Sequence, residues 1–293
     1  MERSLALGVD IGGSHITAAL VDLEKKAIVD SSLQRNYVNC KAASNIIFDE
    51  WCEVITQAYI GFEHVAKIIG IAMPGPFDYE NGISLIEDQD KFRSLYNFNV
   101  KKEIATRLNI PSSNINFIND AAAFLQGEIF NGGTSITNQN VLGLTLGTGL
   151  GSAIYSNTFA KDAALWDSVF LNGIAEDFLS TRWFIQRYHQ LSGKIIQGVK
   201  ELLEIVHKDD YALSTFQEFG YNLAHFLIPV IKKNNINVVI IGGNISGAHK
   251  LFFPELMSTL KMNNNDSIIN ITKLKEHAAL IGAASCCKLS ISL

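Results

Sequence analysis

Apolar residues early in this chain fall in short runs broken by glycine. The first run starts at Leu5 and ends at Asp10, Gly12-Gly13 follows, and a second run begins at Ile16. Apolar and β-branched residues on both sides of a glycine turn predict a β-hairpin over 5–21. A third strand is expected within 27–37. Ile46, Ile47, Trp51, Val54, Ile55 and Ala58 recur at helical spacing, so 43–62 reads as a helix closed by Gly61. The β-branched run 65–73 reads as a buried strand entering Met73-Pro74-Gly75-Pro76, a rigid loop at a strand end. Residues 78–97 are irregular and mixed in charge, suited to a flap over a site or to a surface loop. A short helix is expected over 100–108. A short strand, 115–118, delivers Asn119-Asp120 to an alanine-rich helix, 121–130.

The second half repeats the opening. After a Gly-, Ser-, Thr- and Asn-rich loop at 131–138, residues 141–155 again read strand, glycine turn, strand. Leu7 aligns with Leu142, Gly8 with Gly143, Gly12 with Gly147 and Ala18 with Ala153. Two such hairpins suggest a duplicated domain with a nucleotide held between the halves. A strand rather than a helix follows the glycines, which argues against a dinucleotide-binding fingerprint. Residues 157–172 look irregular. Helices are expected over 173–191, 199–206 and 211–233, then a strand over 238–241 that enters Gly242-Gly243-Asn244. A helix at 248–260, a strand at 268–272 and a helix at 277–288 complete an α/β pattern.

Composition adjusts this picture in a few places. With 293 residues and 47% hydrophobic content the chain is long enough for two domains. We divide it into 1–118 and 119–293, with the terminal helix 277–293 packing back onto the first. A net charge of −5 gives no support for nucleic-acid or anionic-membrane partners. Cys40, Cys52, Cys286 and Cys287 form no C-x-x-C pair, which argues against a disulfide framework and a cysteine zinc site. No signal segment or spanning run is evident, and a cytoplasmic protein is expected. The histidines lack metal-ligand spacing, and Trp51, Trp166 and Trp183 read as core or interface residues.

Two stretches carry candidate chemistry. Gly12 and Gly13 can take positive φ, and their N–H groups can close on an anion, with Asp10 at the rim holding an accompanying cation. An ordinary surface hairpin is the alternative. Asp120, between strand and helix, is either a helix N-cap or a carboxylate projected into a cleft.

Asp10-Ile-Gly-Gly-Ser, Met73-Pro-Gly-Pro, Asn119-Asp120-Ala, Leu146-Gly-Thr-Gly-Leu-Gly-Ser and Ile241-Gly-Gly-Asn occur in this order. Together they resemble the motifs of the repressor, open reading frame and kinase (ROK) family of sugar kinases. The resemblance implies two actin-like (ribonuclease H-like) domains with an interdomain cleft that closes on a sugar and ATP. It implies ATP-dependent phosphorylation of a hexose hydroxyl, glucokinase-like, with Asp120 as catalytic base. Gly75, Asn119 and Glu176 match sugar-binding positions. Asp10, Gly12, Gly13, Ser14, Gly147, Thr148, Gly149, Gly242, Gly243 and Asn244 match nucleotide-binding ones. Asp10 would organise Mg2+, through water, and a homodimer fits the family. The glycine turns suit polyphosphate as well as ATP as donor.

The chain departs from the pattern in several ways. The usual Glu/His pair and cysteine-rich zinc motif are missing, so no zinc site is expected. Gly173-Ile-Ala-Glu176 looks like the motif's degenerate end. Packing of Leu165, Trp166, Val169, Phe170 and Leu171 is the expected replacement for the metal. His15 stands where Lys is common. Family repressors carry a helix-turn-helix ahead of the first hairpin, whereas only Met1 to Ser4 precede it here. The alternatives are a catalytically impaired sugar- or nucleotide-binding regulator and an N-acetylhexosamine kinase.

Overall fold

The computed structural model describes residues 4–88, 91–132, 139–156 and 158–291, with side chains as far as Cys287. The chain forms two compact units, 1–135 with 276–293, and 136–275. The sequence division fell after residue 118. In the structure the helix beyond that point groups with the first unit because it packs along the chain's last helix. Residues 133–138 of the expected loop, and the last two residues of the terminal segment, lie outside the described residues.

In the first unit, β1 (Leu5–Ile11) and β2 (His15–Asp22) form the expected hairpin, with Ile11 opposite Ile16. The third strand is split into β3 (Ala27–Ile28) and β4 (Gln34–Tyr37), both paired to β2. A turn of 3-10 helix separates them, held by Ser32 Oγ, which donates to Val29 O and accepts from Leu20 N–H. Helix α1 (Ser44–Gln57) leads to β5 (Ile69–Met73). That strand starts four residues later than expected because Val65 and Ile68 donate to Phe62 O and Ala66 O in a turn. The small hairpin β6 (Phe77–Asp78) and β7 (Ile83–Ser84) follows, then α2 (Val100–Leu108), β8 (Ile115–Asn119) and α3 (Asp120–Gly132). Strand order is β3-β2-β1-β5-β8, with β1, β5 and β8 mutually parallel.

The two faces of this sheet are covered differently. Odd-numbered residues of β1 and β5 join Phe48, Trp51, Ile55 and Ile104 of α1 and α2 in one apolar core. The even-numbered face receives the C-terminal helix (His277–Ile291) at backbone distance. A Cβ on Gly8 would lie 2.1 Å from Leu280 O, and one on Gly70 would lie 1.9 Å from Ala283 O. The helix meets α3 just as closely, since a Cβ on Gly282 would lie 1.8 Å from Ala123 O. Any side chain at these positions would force backbone apart from backbone. Strand alternation puts Asp10 on the same face as Gly8.

The second unit repeats the topology. Strands β9 (Val141–Leu146), β10 (Leu150–Ser156) and β11 (Phe159–Asp162) are antiparallel, and β12 (Val169–Phe170) pairs with β13 (Gly173–Ile174). Helices α4 (Ala175–Phe178), α5 (Thr181–Ser192), α6 (Val199–Ile205) and α7 (Asp210–Asn234) follow. β14 (Val238–Gly242), α8 (His249–Met262) and β15 (Ile268–Ile271) complete the unit. The order β11-β10-β9-β14-β15 matches β3-β2-β1-β5-β8 position for position. Its core is aromatic, built on Phe184, Tyr188, Phe216, Phe219 and Phe252.

Two expectations fail here. The helix expected over 173–191 is broken, because Gly173 and Ile174 pair as β13 and Ser180 is extended between α4 and α5. The apolar set expected to replace zinc does not pack as one. Val169, Leu171 and Trp166 are exposed by 91%, 62% and 46%, and only Leu165 and Phe170 reach the core. Hydrogen bonds hold the segment instead: Leu165 N–H donates to Ser152 Oγ, and Ala175 N–H donates to Ser168 O. Among the described residues no helix is long and apolar enough to cross a membrane.

The close helix packing is directly testable. Gly282→Ala is expected to destabilise the protein by about 1–3 kcal/mol or more through overpacking. Gly247→Ala, with open space around it, should cost under about 1 kcal/mol. Denaturant unfolding of the two variants checks the difference.

Candidate functional site

The parallel strands decide which residues meet. Asp10 on β1 pairs with Ala72 on β5, and Met73 at the end of β5 pairs with Asn119 at the end of β8. The carboxyl ends of three adjacent strands therefore carry Asp10, the Met73-Pro74-Gly75-Pro76 loop and Asn119-Asp120. Open α/β sheets bind ligands at this edge. The Gly75–Pro76 peptide is cis.

Asn119 and Asp120 divide the roles that the sequence left open. Asn119 Oδ1 accepts from Ala122 N–H at 3.0 Å, so Asn119 caps α3. Among the described residues Asp120 Oδ1 accepts only the adjacent Ala121 N–H at 2.8 Å, and its side chain is partly exposed. The helix start is thus satisfied by Asn119, and Asp120 is not its cap.

Tyr79, which the sequence reading missed, ties the loop to the strand end. Its hydroxyl donates to Met73 O at 3.1 Å and accepts from Asn119 Nδ2 at 3.2 Å. A Cβ on Gly75 would stand 3.3 Å from the same hydroxyl. Tyr79 lay in a stretch with no periodic signal, and only the return of the β6–β7 hairpin brings it back.

Asp10 sits in an acidic setting. Burial pushes its carboxyl up to about 7, the Asp120 carboxylate adds to the rise, Arg35 opposes it, and Glu276 raises it further. Arg35 Nη1 in turn pairs with Glu276 Oε2 at 2.9 Å. Arg35 and Glu276 carry no motif and were also missed. A buried carboxyl beside a second carboxylate suits a hard divalent cation, which binds through one or two carboxylates with water and phosphate oxygens completing its shell. Among the described residues no group of three or more His, Cys, Asp or Glu is arranged around a metal position.

The glycine turns differ from expectation in one respect. None of Gly12, Gly13, Gly147 or Gly149 has positive φ. Gly12 and Gly147 spend their N–H groups inside the turns, on His15 O and Gly149 O. Gly13 and Thr148 N–H find no protein acceptor among the described residues, which leaves them for an anion. Ser14 Oγ is paired with His15 Nδ1 at 2.9 Å. The stem of Lys91, another residue the sequence did not flag, passes over the first turn, with Cδ 3.5 Å from where a Gly13 Cβ would be.

In the second unit Gly242 pairs with Thr145, so Gly147-Thr148-Gly149 and Gly242-Gly243-Asn244 leave the same sheet edge side by side. Gly243 does need glycine there: its φ is +80°, and a Cβ would lie 2.3 Å from Leu146 O. Glu176 lies against the 147–149 turn, its Oε2 accepting Leu150 N–H at 3.0 Å.

This arrangement has known counterparts. The family model described as ROK family matches residues 6–161 and 172–289. The chain belongs to the ROK family. Thermotoga maritima glucokinase is 25% identical over 98% of this chain and 98% of its own length. Histophilus somni N-acetyl-D-glucosamine kinase is 25% identical over 95% of this chain and 97% of its own. The crystal structure of a ROK family glucokinase from Streptomyces griseus, in complex with glucose and AMPPNP, aligns with a TM-score of 0.77. That alignment covers 98% of this chain and 100% of the other at 22% identity. The α/β fold is accordingly the actin-like ATPase fold of ROK sugar kinases.

The Asp10 shift has a definite sign. Below about pH 4 its carboxyl is protonated in folded and unfolded chains alike. From there to about 7 it ionises only on unfolding, so its contribution to stability is lost as pH rises. Asp10→Asn should therefore gain stability relative to the parent between pH 4 and 7 and hold that gain above it. Urea unfolding at stepped pH, without Mg2+ or nucleotide, measures the difference; a flat profile would remove the assigned shift.

Proposed function

We propose that this chain transfers the terminal phosphoryl group of ATP to a hexose hydroxyl, with Asp120 as general base. That it is a sugar kinase rests on the family and on full-length similarity to a glucokinase and an N-acetyl-D-glucosamine kinase. The single observation that carries the catalytic assignment is the division of labour at the start of α3. Asn119 satisfies the helix, while Asp120 stands beside it on the strand edge that also carries Asp10.

Phosphoryl transfer through a loose transition state asks the protein mainly for position and charge. Gly75 and Asn119 would orient the sugar, with Tyr79 fixing both. Asp120 would accept the proton as the hydroxyl attacks. Asp10 would organise Mg2+ beside the phosphates. Gly13 and Thr148 N–H would receive phosphate oxygens, in turns built by Gly12, Ser14, Gly147 and Gly149. Gly242, Gly243 and Asn244 would contact adenosine.

The substrate assignment is tested by a coupled assay over hexoses and N-acetylhexosamines, with ATP and polyphosphate as donors. A hexose with ATP is the expected best pair; preference for an N-acetylhexosamine would move the acceptor class. Asp120→Asn should lower turnover by about two to four orders of magnitude while nucleotide affinity stays unchanged. Turnover equal to the parent's would take Asp120 out of the chemistry.

A further inference from the structure

The first glycine turn is covered by a side chain from another segment. Apart from the chain neighbours of Gly13, the Cδ of Lys91 is the one heavy atom among the described residues within 4 Å of where a Gly13 Cβ would stand, at 3.5 Å. The ammonium is two bonds further along the stem. Among the described residues it meets no carboxylate within ion-pair distance, although Lys91 is only partly exposed. Arg35, which opposes the rise at Asp10, is itself engaged by Glu276. Lys91 therefore brings an uncommitted positive charge to a turn whose Gly13 N–H is also uncommitted.

The neighbour of Lys91 fixes where it sits. Phe92 is fully buried, its ring centroid lies 5.3 Å from that of Trp51, and its N–H donates to Cys40 O at 2.8 Å. Its backbone is left-handed, with φ at 56°, a costly conformation for a bulky residue that these core contacts offset. Two residues on, Ser94 Oγ donates to Ala42 O at 2.7 Å. The 38–42 stretch that receives both bonds is tied to the turn in its own right, because Val38 N–H donates to Ser14 O at 2.9 Å. Lys91 is thus held over Gly13 by contacts that close back on the same turn. An ordinary solvated lysine needs no such anchor.

We propose that Lys91 is a phosphate-binding residue of the first turn, its ammonium contacting the terminal phosphate of a nucleoside triphosphate beside Gly13 N–H. The inference rests on reading 12–14 as a phosphate turn. The phosphate is the terminal one because this turn leaves the same sheet edge as Asp120, the proposed base. A lysine holds phosphate as a compact point charge with three donors. In a loose transition state it would stabilise the charge spread over the transferring oxygens.

Lys91→Met keeps an apolar stem over Gly13 and removes the charge. Its AMPPNP affinity should fall by about 10- to 100-fold in calorimetry, the loss expected for a hydrogen bond between charged groups, while ADP affinity stays within about three-fold. Lys91→Arg should restore AMPPNP affinity to within about five-fold of the parent, since the charge and donors return. Equal losses for AMPPNP and ADP would refute the assignment to the terminal phosphate. Labelling gives a readout independent of turnover. Acetic anhydride should acetylate Lys91 in the parent, as read by mass spectrometry, and AMPPNP with Mg2+ should protect it whereas glucose alone should not. An unprotected Lys91 at saturating AMPPNP would overturn the proposal. A parent that does not bind AMPPNP would overturn the phosphate-turn reading and this inference with it; AMPPNP binding undiminished in Lys91→Met would overturn this inference alone.

Discussion

The backbone-distance contact of the C-terminal helix with β1, β5 and α3 is the constraint from which the first unit's site follows. Gly8, Gly70 and Gly282 permit it, and no other residue type would. Because the helix takes the even-numbered face, Asp10 emerges on that face, and Glu276 arrives just ahead of the helix. α3, seated on the same helix, brings Asp120 to the same side. A wider separation would fill those positions with side chains and scatter the carboxylates.

Electrostatics then set the character of the site. Asp10, Asp120 and Glu276 share a small region with Arg35, and the balance leaves Asp10 reluctant to ionise. In the proposed reaction a divalent cation and a phosphate chain would give each group an opposite charge. Tyr79 performs the complementary task of fixing geometry, because one hydroxyl joins the proline loop to Asn119.

The second unit solves a different problem, the support of the 147–149 turn and of the segment that follows its strands. The expected apolar substitute is not there, as Val169, Leu171 and Trp166 face outward. Polar contacts from Ser152, Ser168, Glu176 and Thr181 hold the segment and turn instead. These residues gave no periodic signal. Hydrogen bonds between segments tens of residues apart leave no trace in a local pattern.

Hairpins, the duplicated topology and the positions of Asp10, Asn119, Asp120 and the glycine turns were legible from the chain, because each depends on short-range backbone chemistry. Local chemistry also predicted a helix over 173–191, and there pairing of Gly173-Ile174 with Val169-Phe170 overrode it. The sequence left Asp120 poised between cap and carboxylate, and only the fold assigned the cap to Asn119. Tyr79, Arg35, Glu276 and the hydrogen bond from Leu150 N–H to Glu176 belong wholly to tertiary structure. Each acts through a partner that is distant in sequence or inside an aperiodic loop, and proximity of that kind is created only when sheets and helices pack.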